Sequence, residues 1–115
     1  MKVKIDSNAY YLPEKKESNE SLKLDNPNWD MSKISDKTGV FTRSIASTHQ
    51  TAVDLAFEAG SRLLKDSSCK EDIDLVVLVT QSPDYVLPTS ACILQDRLGL
   101  SKKCMAFDIN LGCSG

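Results

Sequence analysis

The side chain best suited to covalent chemistry stands at the C-terminal end of the chain, in Gly112-Cys113-Ser114-Gly115. A thiolate attacks acyl carbonyls readily and forms a covalent intermediate. Cys113 follows the stretch Cys104 to Ile109, which reads as a short strand. The small residues around it permit a tight turn and let a substrate approach the backbone. A helix starting just after the turn would put the thiol at the positive end of the helix dipole, which favours the thiolate. Backbone N–H groups at such a turn can hold a developing oxyanion. The arrangement parallels the nucleophile elbow of serine hydrolases in its mechanics, though not in its spacing. The same local features also fit a packing cysteine at a strand end. No partner base is evident nearby. His49, the one histidine, lies far from Cys113 in sequence and reads as a solvated or capping residue beside a helix start.

Three carboxylates also have chemistry to offer. Asp72 and Asp74 flank the start of an apolar strand. They read as solvating charges, because sites in α/β sheets form at the opposite strand end, here near Thr80. Asp108 sits close to Cys113 and reads as a hydrogen-bond partner of local backbone, not as a proton carrier.

The bulk composition narrows the setting. The chain has 115 residues, 41% hydrophobic and 26% charged, which suits an ordinary globular domain. A formal charge of −2 provides no field for nucleic acid or anionic lipid. No apolar run is long enough to span a bilayer, and the N-terminal MKVKIDSN lacks the apolar core of a secretory signal. Four cysteines are present, Cys69, Cys92, Cys104 and Cys113, without a CxxC pair. They read as reduced thiols of a cytoplasmic protein, with Cys92 and Cys104 as small core residues. No metal site is expected, because His49 has no ligand partner at suitable spacing.

The elements that must position Cys113 follow from periodicity. Lys2 to Tyr11 contains β-forming residues and predicts a strand running into a turn at Pro13. Residues 14–30 are polar, with room for a short helix over Glu20 to Leu24 and a turn at Asn26-Pro27-Asn28. Asp30 is a candidate cap for a helical stretch from Met31 to Lys37, ended by Gly39. Val53, Ala56, Ala59 and Leu63 recur at helical spacing, widened by Leu55 and Leu64. Ser47 or Thr48 is its candidate N-cap, and Asp66-Ser67-Ser68 its end. Ile73 to Thr80 is nearly continuously apolar, which predicts a central parallel strand buried on both faces. After the loop Gln81-Ser82-Pro83-Asp84, Pro88-Thr89-Ser90 opens a helix carrying Ala91, Leu94 and Leu98 and closed by Gly99. The alternation of strand and helix predicts an α/β fold with a mainly parallel sheet. No helix follows the Gly-Cys-Ser-Gly turn to pack back on the sheet. The sequence therefore reads as one piece of a larger assembly, whose sheet needs the rest of the fold to cover it.

The ordered set of motifs resembles the β-ketoacyl-acyl-carrier-protein synthase III family. Pro88-Thr89, Leu98-Gly99, Phe107-Asp108 and Cys113-Ser114-Gly115 occur in the order that family shows around its active-site cysteine. Upstream, Tyr11-Leu12-Pro13, Lys37-Thr38-Gly39-Val40 with Arg43, and Phe57-Glu58-Ala59 agree with its earlier segments. The resemblance implies that residues 1–115 are the N-terminal portion of a thiolase-like condensing-enzyme domain. It implies Cys113 as the nucleophile that takes an acyl group from acyl-coenzyme A and condenses it with malonyl on an acyl carrier protein, in fatty acid or related biosynthesis. It implies no cofactor beyond the coenzyme A thioester, and a homodimer. The family's catalytic His and Asn fall beyond Gly115, so condensation is not expected of these residues alone.

Three further residues are singled out by the resemblance. Leu87 stands where the family often has a Phe that crosses the dimer interface and walls the acyl pocket. Lys37 matches a basic position near the coenzyme A phosphates, and a plain surface lysine is the alternative. The family stacks a tryptophan on the adenine at the position of Lys33. Here Trp29 precedes that position in a longer segment, and is either the adenine platform or a surface anchor. These departures suggest a specialised relative. Other readings are a hydroxymethylglutaryl-coenzyme A synthase or secondary-metabolism condensing enzyme, a non-catalytic partner subunit, and a plain Rossmann-like binding domain. The retained Cys113 argues against the inactive subunit. The absence of GxGxxG and P-loop motifs argues against the last.

Overall fold

The computed structural model describes residues 2–31, 33–65 and 70–115. The chain divides into two compact units, residues 12–49 and residues 1–11 with 50–115.

The smaller unit holds strand β1 (Lys16–Ser18), helix α1 (Asn19–Asp25), helix α2 (Ile34–Thr38) and strand β2 (Thr42–Ser44). β1 and β2 pair antiparallel, with Glu17 opposite Arg43. Ser18 caps α1 through a reciprocal capping box with Ser21. Asn19 is buried and donates to the Val40 carbonyl at 2.8 Å, and it also receives the Arg43 guanidinium. The expected helix over Glu20 to Leu24 is present as α1. Helix α2 is shorter than expected: Lys33, not Asp30, is its N-cap, and Met31 is buried ahead of it. Gly39 ends it in the left-handed conformation, as its position predicts.

The larger unit carries helix α3 (Ala52–Leu64), strand β3 (Leu75–Val79), helix α4 (Ser90–Arg97) and strand β4 (Met105–Ile109), with a 3₁₀ turn at Lys70–Asp72. β3 and β4 pair in parallel register, from Leu75 opposite Met105 to Val79 opposite Ile109. A parallel pair needs a crossover, and α4 supplies it. Val53, Leu64, Leu94, Leu98 and Leu100 form the core, with Ala56, Phe57, Val76 and Leu78 packed against it.

The structure departs from the sequence-based expectations at several places. The segment Lys2 to Tyr11 forms no strand and is mostly exposed, because its β-forming residues find no ladder to join. The N-cap of α3 is Thr51, not Ser47 or Thr48. Its hydroxyl accepts from the Asp54 N–H at 3.3 Å while the Asp54 carboxylate accepts from the Thr51 N–H at 2.8 Å. Leu63 is exposed, and Leu64 and Phe57 face the core instead. The expected end at Asp66-Ser67-Ser68 lies outside the described residues, as does Cys69. β3 is not covered on both faces: Val76 and Leu78 face the helices, while Leu75, Val77 and Val79 are 43%, 38% and 46% exposed. Cys104 is buried as expected, but Cys92 is exposed. Its Sγ accepts from the Thr89 hydroxyl at 3.2 Å.

Candidate functional site around Cys113

The site is built on the C-terminal ends of β3 and β4. The ladder runs one step past the strands, with the Thr80 N–H donating to the Ile109 carbonyl at 3.2 Å. Residues 112–115 then fold into a tight turn, closed by the Gly115 N–H on the Gly112 carbonyl at 2.9 Å. This turn lies on the end of β3. A Cβ at Gly115 would stand 2.5 Å from Val79 Cγ1 and 3.2 Å from the Gly112 carbonyl oxygen. A Cβ at Gly112 would run into the amide end of the Gln81 side chain. Close approach thus requires glycine at 115, while Gly112 faces the flexible end of Gln81. Cys113, between them, is left exposed. Residues 110–115 contain no helix, so the helix dipole expected to act on the thiol is not part of the geometry.

The loop after β3 is fastened by a chain of hydrogen bonds. The Asp84 carboxylate accepts from the Val53 N–H at 3.3 Å, which adds a partner to the first turn of α3. The Asp84 N–H donates to the Ser90 hydroxyl at 3.2 Å. Ser90 is fully buried. Thr89 is the N-cap of α4 but gives no side-chain cap. The Asp108 carboxylate takes that place from the neighbouring strand, accepting from the Ser90 N–H at 2.8 Å and the Ala91 N–H at 2.6 Å. A carboxylate at a helix N-terminus is stabilised by those free donors and by the helix dipole. Asp108 therefore binds backbone, as expected, but the backbone of α4.

Leu87, 80% exposed, lies in this loop beside Tyr85 and Val86 at 62% and 90%. The Leu87–Pro88 peptide is cis. Asp72 and Asp74 are exposed at the opposite end of β3. Trp29 and Lys37 belong to the smaller unit. Trp29 is 55% exposed in the turn after α1, and its N–H donates to the Asn26 carbonyl at 3.0 Å. Lys37 is exposed in the last turn of α2. His49 is exposed. An open hollow of about 430 Å³ in that unit is lined by Glu20, Lys23, Leu24 and Pro27, and another of about 310 Å³ by residues of α3 and α4 including Phe57 and Arg97. Neither is lined by Cys113. Among the described residues no three His, Cys, Asp or Glu side chains gather as a metal site, and no helix is long and apolar enough to cross a membrane.

Sequence reasoning missed Gln81 and Val79 as the floor of the turn, and Asp84 and Ser90 as fasteners. One signal was present: Asp108 is a charge in an otherwise apolar strand, at a position that alternation turns toward the helices.

No protein-family model matches the chain. The β-ketoacyl-[acyl-carrier-protein] synthase III of Neisseria gonorrhoeae is 38% identical over 117 residues, covering 98% of this chain and 35% of that protein. A crystal structure of a 3-oxoacyl-(acyl-carrier-protein) synthase III superposes with a TM-score of 0.83 at 47% identity, covering 94% of this chain and 32% of that one. The tetronic acid condensing enzyme AbyA1 gives 0.76 at 34% identity, over 95% of this chain and 36% of that one. The chain spans about a third of the length of the curated relatives it matches. Over that third it has the sequence pattern and the thiolase-type α/β fold of these condensing enzymes.

Proposed function

Taking the chain as a piece of a β-ketoacyl-acyl-carrier-protein synthase III-type enzyme, we propose that it supplies the acyl-accepting nucleophile, Cys113, and the N-terminal part of the fold around it. The observation that carries this reading is the exposed thiol held between two close-packed glycines at the C-terminal ends of parallel strands. That is the strand end at which α/β sites form.

In the first half-reaction the Cys113 thiolate attacks the carbonyl carbon of an acyl-coenzyme A. A C–S bond forms, the bond to the coenzyme A sulfur breaks, and coenzyme A leaves as the thiol after taking a proton. In the second, a malonyl group on an acyl carrier protein loses carbon dioxide. The electrons of the broken C–C bond form an enolate, its carbon attacks the acyl-cysteine, and the Cys113 thiolate departs. Leu87 would shape the acyl pocket, Trp29 would face the adenine and Lys37 the phosphates of coenzyme A. A homodimer and a cytoplasmic setting accord with this role. The similarity to a tetronic acid condensing enzyme supports, beside fatty acid synthesis, a place in specialised biosynthesis. The remaining two-thirds of such an enzyme would supply the His and Asn and cover the open face of the β3–β4 sheet.

The test is acylation of the full-length protein. Incubation with acyl-coenzyme A should add one acyl mass on the peptide containing Cys113, and Cys113→Ala should abolish it. Should neither acyl-coenzyme A nor an acyl-carrier-bound donor modify Cys113, the enzyme reading falls in favour of a non-catalytic partner subunit.

A further inference from the structure

We propose that Asp108 is a positioning residue: through Ser90 and Asp84 it fixes the Tyr85–Leu87 loop relative to the strand end that carries Cys113. This deepens the function proposed above and rests on it for the activity readout.

Asp108 lies on β4 just ahead of the Cys113 turn, on the face that packs against α4. A half-buried carboxylate on such a face must be satisfied by donors. It finds two, the Ser90 and Ala91 N–H groups, at 2.8 Å and 2.6 Å. Hydrogen bonds to a charged acceptor are the stronger kind. Because Thr89 provides no side-chain cap, the start of α4 depends on this carboxylate from another element. Ser90 passes the constraint on. Its hydroxyl accepts from the Asp84 N–H, and Asp84 is tied in turn to the Val53 N–H of α3. Tyr85, Val86 and Leu87 are therefore the exposed span of a loop clamped on both sides. The placement of Leu87, the candidate acyl-selecting side chain, follows from the position of Asp108 on the nucleophile's own strand.

The experiment uses the full-length protein with Asp108→Asn and Ser90→Ala. An Asn at this position loses the charge and turns one acceptor into a donor facing N–H groups. Hydrogen exchange read by peptide should rise about tenfold over residues 84–91 in Asp108→Asn, with the β3 and β4 amides still protected. Ser90→Ala should loosen the 84–87 span. The second readout is the ratio of Cys113 acylation rates for a short and a longer acyl-coenzyme A. Positioning predicts that this ratio shifts by about fivefold or more, whereas a merely weakened fold lowers both rates alike. Exchange within about twofold of the unmodified protein in both variants overturns the proposal. So does an unchanged rate ratio in variants whose loop has loosened. Should Asp108→Asn fail to fold, Ser90→Ala carries both readouts under the same criteria. Should the unmodified protein accept no acyl group, the proposed function falls, and the exchange arm alone decides whether Asp108 positions the loop.

Discussion

A thiol near a strand end becomes usable when its neighbours leave it open, and around Cys113 that condition falls on two glycines. At Gly112 the nearest atoms are those of the movable end of the Gln81 side chain. Gly115 is the stricter position, because Val79 is β-branched, stiff at χ1 and held in the parallel ladder. Gly115→Ala is therefore expected to push the turn off β3 and slow acylation of Cys113 by up to about a hundredfold, the effect of a displacement of order an ångström. Stopped-time intact-mass measurements on the full-length protein check this, with far-UV circular dichroism to show an intact fold. A rate like that of the unmodified protein would mean that the turn does not depend on this contact. The cysteines offer a second test at the same scale. Cys104 is buried, so iodoacetamide should label Cys113 well before Cys104. Equal labelling would contradict the packing of β4 against α4.

At the scale of elements, α3 and α4 are joined by one polar clamp. Arg97 of α4 donates to the Asp54 carboxylate at 2.7 Å and lies over the Phe57 ring, 4.5 Å from its centre. The Thr51 backbone N–H, then Arg97, hold the Asp54 carboxyl below the usual carboxylate range. Its native value is depressed relative to the unfolded chain, so its contribution is complete above the usual carboxylate range and is lost as the pH falls through the lowered native value. The clamp is partly exposed, which keeps its contribution small. Removing the cap itself, Thr51→Ala, should cost about 1 kcal/mol, read as a shift of the urea midpoint. An unchanged midpoint would show that packing alone sets the start of α3. These two helices and β3 and β4 were legible in the sequence: α3 by its strong periodicity, β3 by its β-branched run, and α4 and β4 by the turn residues that bound them, Pro88-Thr89, Gly99 and Gly112. β1 and β2 were not. Lys16-Glu17-Ser18 and Thr42-Arg43-Ser44 carry no apolar alternation, and their pairing is fixed by each other and not by a buried face. The start of α3 was placed too early because Ser47, Thr48 and Thr51 all have capping chemistry, and only Thr51 has an acidic residue at the reciprocal position. At the candidate site, the tight turn that carries Cys113 was legible from its small neighbours. The Asp84–Ser90–Asp108 chain was not, because it joins residues that only the crossover brings together.

At the scale of the whole molecule, the two faces of the β3–β4 sheet differ. One packs on α3 and α4. The other presents Leu75, Val77, Val79, Met105 and Phe107, all between 38% and 62% exposed. The unbroken apolar run in β3 predicts cover on both sides, and parallel sheets are ordinarily so covered. A contiguous apolar stripe on a two-stranded sheet also leaves unpaired edges beside it. The 115-residue chain produced by itself should therefore bind an apolar dye such as ANS and elute from a sizing column as more than a monomer. Replacing Val77 and Phe107 together with Thr should lower both signals, because the change removes apolar area from the centre of the stripe while keeping residues that suit a strand. Cooperative urea unfolding of both forms is the necessary control, since a collapsed chain would also bind the dye. Dye binding and association that persist in the doubly substituted chain would place the sticky surface elsewhere, among the exposed Tyr85-Val86-Leu87 loop and the N-terminal Val3, Ile5 and Tyr10. The two outcomes separate the exposed β3–β4 face from apolar surface elsewhere in the chain as the source of association.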